Sequence, residues 1–485
     1  MGYKRYKRGL FAYLALAAVV ISASLPANAY CAEKVVLNLQ QCIDRAVKVN
    51  AEIKGAEFVA AQYRGKQEQA DAARYAQAEI IAYGSLSPRA RLADGGRTLR
   101  SSTNINRESY DGVFGSATVQ LIQPIYTFGK ISGYREAAQH GVNAFEAGAK
   151  LKATDVALQV RQAYNGLLLA RETKALLVDI KEQLDKATDK VQKQLDDSAP
   201  NVDQVDLFKL QTYQGEVDRY IAEADEGMQK AMYGLRLLIN MPDEKSSFDI
   251  ADEYLIPDEV KLEDFETYAS RAEKDRLEFM QLSEGLLARE ALIKVAYSDY
   301  YPQIFALGFY SLAGATNRDH LNNPYVTDEF NHAYGGAVLG LKWNVDFGIH
   351  RGKVNEAKAE YLELKMKQLY AEGGVPFQVK DSYLQVKAAE QEMKDLQEAY
   401  MKAKQWVVAS LANFDLGVGE ARDIADSVSA YARIRADYFR TVYNHKMALA
   451  NLDHATGRDA VDMNYKVEVY SMDDMEKLNS QAEGL

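Results

Sequence analysis

The hydrophobic pattern of this chain changes period twice, and in the same way each time. Val113, Gly115, Ala117, Val119 and Leu121 alternate with Ser116, Thr118 and Gln120, the period of two expected of a strand with one apolar face. Between Gln123 and Gly133 the alternation stops and a helical period begins. The switch returns in the second half. There Ala337, Leu339, Leu341, Trp343, Val345 and Phe347 alternate with Val338, Gly340, Lys342, Asn344 and Asp346 before another helical pattern. Phe128, Gly129 and Gly133 correspond to Phe347, Gly348 and Gly352, and the same displacement of 219 residues (347 − 128) carries Tyr164 onto Tyr383. One module has been used twice. The displacement puts Leu121 on Gly340, out of phase with the apolar face, so a β-bulge is expected near residues 121–123.

Each copy follows one plan. Residues 39–78 read as a helix, 79–86 as a short strand and 87–111 as a polar loop; in the second copy residues 297–312 give the strand and 313–332 the loop. No proline interrupts residues 133–196, so a helix there should reach roughly 90–100 Å. Leu176, Ile180, Leu184, Ala187, Val191 and Leu195 fall at steps of four and three, a coiled-coil seam. The chain turns near 197–201 and returns with Leu210, Tyr213, Val217, Tyr220 and Leu235 in register. The second hairpin turns near 415–419 and returns with Val428, Tyr431, Tyr438, Val442, His445 and Leu452. The fold class is therefore mainly α with β, a duplicated module of long antiparallel helical hairpins and four strands. Its parts are a first repeat at 30–240, a linker at 241–262, a second repeat at 263–457 and a tail at 458–485. The linker is acidic, broken by Pro242 and Pro257, and expected on the outside of the bundle.

Residues 1–29 have the three parts of a secretory signal: Lys4, Arg5, Lys7 and Arg8, an apolar run at 10–21, and the small pair Ala27 and Ala29. A membrane anchor would need roughly 20 apolar residues, more than this run supplies. Beyond it no window suits a spanning helix, so any further entry into a membrane must be as strands of a closed barrel. Four strands are too few to close one, since about eight is the minimum, and several chains must contribute. Cys31 and Cys42 do not make a disulfide framework; they are either free or one bridge that pins the N-terminal tail to the first helix. The formal charge of −11 argues against nucleic acid as a partner.

The duplicated order helix, strand, loop, strand, helical hairpin resembles the outer-membrane efflux protein family, the TolC-type channels. So do the strand exit beginning Gln123-Pro124 and the hairpin Phe414-Asp415-Leu416-Gly417 followed by Asp423 and Asp426. The resemblance covers essentially the whole mature chain. It implies a homotrimer in which each chain gives four strands to a 12-stranded transmembrane β-barrel in outer-membrane lipid. The helices would continue the barrel as an α-helical cylinder across the periplasm, and its narrow end would open when a periplasmic adaptor (membrane fusion protein) and an inner-membrane transporter dock.

The candidate chemistry is then electrostatic selection. Asp423 and Asp426 lie three apart on one face of a helix, and symmetry would turn each into a carboxylate ring at the aperture. The plain alternative is a solvated helix start, where the helix dipole already favours acids. The resemblance also implies a closing link between hairpins: Asp196 matches its aspartate and Phe414 its aromatic position. Its arginine would fall at Gly419, leaving Arg422 as the substitute one turn on. Ala199, Pro200 and Asn201, with Gly417, Val418 and Gly419, stand at the hairpin tips that adaptors touch. Small residues that permit a tight turn are their plain reading.

Enzyme signals are poor. No phosphate-binding G-x-x-x-x-G-K-[ST] run occurs. Glu329 and His332 have the spacing of half a di-iron site, which needs two such pairs on helices, whereas these lie in a polar loop. His445 on a helix seam reads as a packed histidine. No catalytic residue, metal or cofactor is expected. The reading is an export duct for efflux or type I secretion. The alternative is a soluble periplasmic helical-hairpin adaptor or structural protein whose strands form an ordinary sheet.

Overall fold

The computed structural model describes residues 35–89, 110, 112–197, 203–241, 248–320, 325, 327–416, 418–471 and 473–477. The secretory signal, Cys31, most of the first polar loop and the tip residues Ala199, Pro200, Asn201 and Gly417 lie outside the described residues.

After β1 (Val35–Leu37), helix α1 (Leu39–Val49) begins at a capping box. Asn38 and Gln41 each accept the other's backbone N–H, at 2.8 and 2.9 Å, so two N–H groups left over at the helix start are satisfied. Cys42, Ile43, Ala46 and Val47 form its buried face, and burial pushes the Cys42 thiol up to about 11. The single helix expected over 39–78 is two. Asn50 has an extended backbone, caps the Glu52 N–H at 2.9 Å and donates to the Leu238 carbonyl at 3.2 Å. A short polar side chain that offers the backbone such bonds breaks a helix as readily as it starts one. Helix α2 (Ala51–Ala72) follows, then β2 (Gln77–Ser87) and β3 (Gly112–Tyr126). Next come the long α3 (Lys130–Asp196), the returning α4 (Gln204–Leu238) and β4 (Phe248–Ile250).

The second repeat consists of α5 (Phe265–Asp275), α6 (Leu277–Ser298), β5 (Gln303–Ala315), β6 (His332–Lys342), α7 (Ile349–Asp415) and α8 (Ala421–Thr456). A short α9 (Arg458–Met463) ends it. The duplication is tighter than the sequence suggests. α1 and α2 return as α5 and α6 with the same lengths, 11 and 22 residues, displaced by 226 (265 − 39). α3 and α7 are both 67 residues, about 100 Å long, and are displaced by 219 (349 − 130). The displacement therefore changes between the two strands of a repeat. Six of the seven residues are lost in the outer loop, because Gly115, Ala117, Val119 and Leu121 correspond to Gly335, Ala337, Leu339 and Leu341 at a displacement of 220. The seventh is a bulge: the β3–β5 register shifts between Pro124 and Tyr126, at Ile125 rather than at 121–123.

The four long strands form one antiparallel sheet in the order β2-β3-β5-β6, with the two repeats joined through β3 and β5. β6 ends at Lys342. Trp343, Val345 and Phe347, which continue the alternation in sequence, lie beyond the strand of a single chain.

The linker is not simply external. β4 pairs in parallel with β1, and Phe248, Ile250 and Leu255 are buried with Cys42, Ile43, Ile53 and Val160. Tyr164, one of the repeated tyrosines, is buried in the same core and donates to Asp252 at 2.7 Å, so the linker is anchored through its side chains. Further down, Leu176, Ile180, Leu184 and Val191 of α3 pack with Leu207 and Leu210 of α4 and with Ile424, Ala425 and Val428 of α8. This is the expected seam, shared by both hairpins because α3 lies between α4 and α8, and α7 packs on α8. His445 is buried on α8, as its seam position implied, and burial holds its imidazole below the usual range.

The C-terminal tail returns to α2. Buried Glu57 accepts from the Tyr465 hydroxyl, from the Tyr470 hydroxyl at 2.5 Å, from the Glu468 backbone at 3.0 Å and from Lys54 at 3.0 Å.

Candidate functional site

In an antiparallel sheet, residues directly opposite share a face, so the register fixes what each face carries. Val119 lies between Ile80 and Tyr310, and Tyr310 is opposite Gly335. Leu121 lies between Ala78 and Gly308, and Ala117 between Ala82 and Leu312. Val113 faces Leu86, and Ile304 faces Leu341. From Ala78 to Leu86, Val113 to Leu121, Ile304 to Gly314 and Ala333 to Leu341, this face holds only Ala, Gly, Val, Leu, Ile and Tyr310. Its large members other than the half-buried Ile304 are exposed, Ile80 by 72% and Leu339 by 71%. An uncharged, exposed face on all four strands is costly in water and suited to hydrocarbon. Strands of 11–15 residues also meet the length required, about 9–11 residues at a tilt near 45°.

The opposite face is mixed. It carries Glu79, Ser85, Ser116, Gln120 and Lys342 along with the aromatic rings of Phe305 and Phe309, which lie against Gly340 and Gly336 across the strand pair. Thr118 and Ser311 share a hydrogen bond of 3.0 Å, and Ser311 meets His332 Nε2 at 2.9 Å. His332 therefore belongs to a strand network on this face.

The two strand exits do the same work with different atoms. At the first, Phe128 and Gly129 adopt left-handed backbone, φ 49° and 91°. Thr127 Oγ1 accepts the Ile131 N–H at 3.3 Å, and the Phe128 ring stacks on Tyr301 at 5.1 Å. At the second, Asp346 replaces Thr127 at the same place in the repeat and accepts from Gly348 N at 2.9 Å and His350 N at 3.1 Å. Gly348 is not left-handed there, and Phe347 is fully exposed. Gly133 is required for close approach, since a Cβ would lie 2.7 Å from Val295 of α6. Gly352 has open space around it.

At the far end of the helices, Asp423 and Asp426 are exposed in the first turns of α8, while Ile424, Ala425 and Val428 turn into the hairpin core. Arg422 reaches Asp426 at 3.6 Å within the same helix. The three closing-link candidates have separate partners: Asp196 accepts from Gln192 at 2.9 Å, Arg422 faces Asp426, and Phe414 is buried beneath Lys190, whose Nζ lies 5.2 Å from its ring. Besides the shared apolar seam, an ion pair that sequence reading missed joins the two hairpins here, Lys190 of α3 with Asp415 at the end of α7. Nothing in the local spacing signals a pair 225 positions apart. At the described part of the second tip, Val418 and Gly419 both donate to the Asn413 carbonyl, at 3.0 and 3.1 Å, and Leu416 and Val418 are exposed by 77% and 78%.

Residues 269–458 match the model of the family described as outer membrane efflux protein. No curated protein matches the chain by sequence. Solved structures match over nearly the whole chain. A membrane protein from Pseudomonas aeruginosa is 17% identical, with a TM-score of 0.71, covering 86% of this chain and 93% of its own. VceC, an outer membrane protein of Vibrio cholerae, is 14% identical at a TM-score of 0.70, covering 86% and 96%. The CmeC outer membrane channel of Campylobacter jejuni is 16% identical at 0.70, covering 90% of each chain. At these identities the structural matches speak for the fold, and the sequence match is a likeness over residues 269–458. Residues 269–458 thus resemble the outer membrane efflux protein family, and the chain has the fold of solved outer-membrane channels.

Proposed function

We propose that the protein is an export duct in which several copies, three by the family resemblance, close a barrel of twelve strands over a tapering helical tube. The tube's tips meet a periplasmic adaptor and an inner-membrane transporter, for efflux or type I secretion. What carries the reading is one observation: an exposed, uncharged face across all four strands of a sheet that ends in helices about 100 Å long. The open outer edges of β2 and β6 support assembly, since an unpaired edge beside an apolar face is left exposed by a single chain. The exposed Leu416 and Val418 support a partner at the hairpin tips. The energy for export comes from the transporter; the duct supplies a path and an electrostatic filter.

Single-particle imaging of the mature protein extracted from outer membranes tests this. A three-fold tapered cylinder of roughly 130–150 Å, helical rod plus barrel, is the expected result. A compact particle that stays in solution without detergent would overturn it in favour of the soluble adaptor.

Two residue-level expectations belong to the same reading. Asp423→Asn with Asp426→Asn should weaken cation preference and block by multivalent cations in planar bilayers, because a carboxylate ring acts through its field at a constriction. Unchanged selectivity and block would rule the ring out. Lys190→Ala removes a link between hairpins that is largely in water and worth about 0–1 kcal/mol, so thermal stability should hardly move. Single-channel conductance should nevertheless rise, if Lys190, Asp415 and Phe414 hold the aperture in place of the missing arginine; conductance equal to that of the parent rejects that role.

A further inference from the structure

We propose that His454, held between Asp155 of α3 and Asp459 of α9, is a proton-operated clamp that docks α9 and the end of α8 on the bundle and releases them as the surroundings turn alkaline. His454 stands in the last turn of α8, with Nδ1 2.8 Å from Asp459 Oδ2 and Nε2 3.4 Å from Asp155 Oδ1. A neutral imidazole has one N–H and can donate to only one of them. Both contacts are attractive only when each ring nitrogen carries a proton. Among the described residues neither carboxylate forms another ion pair. Loss of the proton therefore leaves Asp155 facing a lone pair, and leaves the Asp459 side chain, only 9% exposed, without a paired counter-charge.

The other charges around the ring are engaged elsewhere. From α3, Lys152 reaches Glu52 of α2 at 2.6 Å, and Arg161 acts on Asp453 of α8. Where α5 gives way to α6, Arg276 pairs with Glu278 at 2.9 Å, and Asp275 lines a small cavity beside α9 together with Lys150. Arg458 is shared between Asp453 at 3.8 Å and Asp462 at 3.4 Å. The hydrogen bond to Asp459, opposed by burial and helped by the charges of Asp459, Asp155 and Glu278, raises the imidazole above its ordinary range. A raised histidine contributes its stability in full below the unfolded value, about 6.5, and loses it as pH rises through the folded value. Burial raises the Asp155 and Asp453 carboxyls as well. They act with the same sign but start from about 3.9, so a step that begins above about 6.5 belongs to the imidazole.

The first repeat builds the same junction without the charge. Each returning helix runs into a left-handed residue, Asn240 at φ 52° and Gly457 at φ 73°, beside the break between two short helices. In the first repeat the neutral Asn50 amide donates to the Leu238 carbonyl at 3.2 Å; in the second, Gly457 lies so close that a Cβ would be 2.7 Å from the Asp275 carbonyl. The displacement of 217 (457 − 240) puts Leu237, exposed by 72%, in the place of His454. The plan of the junction thus needs no ionisable group, and the imidazole between two carboxylates is an addition to it. α8 carries Asp423 and Asp426 in its first turns, so the clamp fixes the root of the helix that reaches the candidate aperture.

Hydrogen exchange over residues 453–463 of the full-length protein in detergent, corrected for the intrinsic rate at each pH, tests the clamp between about pH 6 and 9. Protection there should fall as pH rises, by about tenfold for each unit by which the folded His454 exceeds its unfolded value. The tail at 464–471, which Glu57 holds, should keep its protection over the same range and serves as the control. His454→Gln should bring 453–463 down to the parent's alkaline level at every pH and remove the step. Asp459→Asn should move the step to lower pH, because the imidazolium loses its nearest carboxylate. A flat parent profile, a step that survives in His454→Gln or stays in place in Asp459→Asn, or an equal loss of protection in the tail and the helical seams overturns the clamp.

Discussion

Val119→Arg is expected to prevent most of the protein from assembling in the outer membrane. Val119 is the central residue of β3, flanked on its face by Ile80 and Tyr310. A charge at that depth on the lipid face of a barrel costs about 2–4 kcal/mol per chain. In an ordinary soluble sheet the same position is already 40% exposed, and an arginine there would change stability by no more than about 0.5 kcal/mol. The comparison therefore separates the duct from the soluble adaptor by size of effect. Gln120→Arg, one residue along and on the other face, should assemble normally. Membrane yield together with urea midpoints in lipid vesicles would measure both. Equal behaviour of the two variants would mean that the apolar face does not meet lipid.

Glu57→Leu should release the C-terminal tail. The Glu57 carboxylate is the common acceptor for Tyr465, Tyr470, the Glu468 backbone and Lys54, and removing it takes the acceptor from the Tyr465 hydroxyl and the Glu468 N–H, while Tyr470 and Lys54 keep only the Glu468 carboxylate, each at 2.9 Å. Breaking a buried pair by deleting one partner costs roughly 3–5 kcal/mol, and the partial exposure of Lys54 favours the lower end. Hydrogen exchange at residues 464–471 is the measurement. Protection in that segment should fall while the helical seams keep theirs; unchanged protection would show that apolar contacts alone hold the tail. The pH dependence has a definite sign. Burial pushes the Glu57 carboxyl up, but the hydrogen bonds from Tyr465, Tyr470, Glu468 N and Lys54 outweigh it and hold the group below the ordinary range. A depressed carboxyl contributes stability above its unfolded value, about 4.3, and loses that contribution as pH falls through the folded value. Tail protection should thus be flat through neutral pH and drop only in acid below about 4.

Much of this architecture was legible because it is periodic. A strand with one apolar face and a helix with an apolar stripe write their periods directly into the chain, and a duplication repeats the message, so Gly133 and Gly352 locate each other without coordinates. What was misplaced depended on single side chains competing with regular backbone. Asn50 splits one expected helix into two by offering its own hydrogen bonds. The bulge sits at Ile125 and not at 121–123, since phase shows that one residue is extra without showing which. The linker was expected outside for its acids and prolines, yet Phe248, Ile250 and Leu255 are enough to draw it into the core.

At the candidate aperture the sequence supplied Asp423 and Asp426 through their spacing of three, which any helix converts into a shared face. It could not supply Lys190 with Asp415, because pairing between two hairpins depends on how they lie against each other. The sequence by itself determined the repeat, the helical seams and the apolar alternation, which all follow from local geometry. Only the tertiary structure decided that the four strands join through β3 and β5, that their apolar residues form one continuous face, and that Glu57 gathers the tail. Each of these needs residues far apart in the chain to meet, and the local period of a sequence carries no information about the distance between its repeats in space.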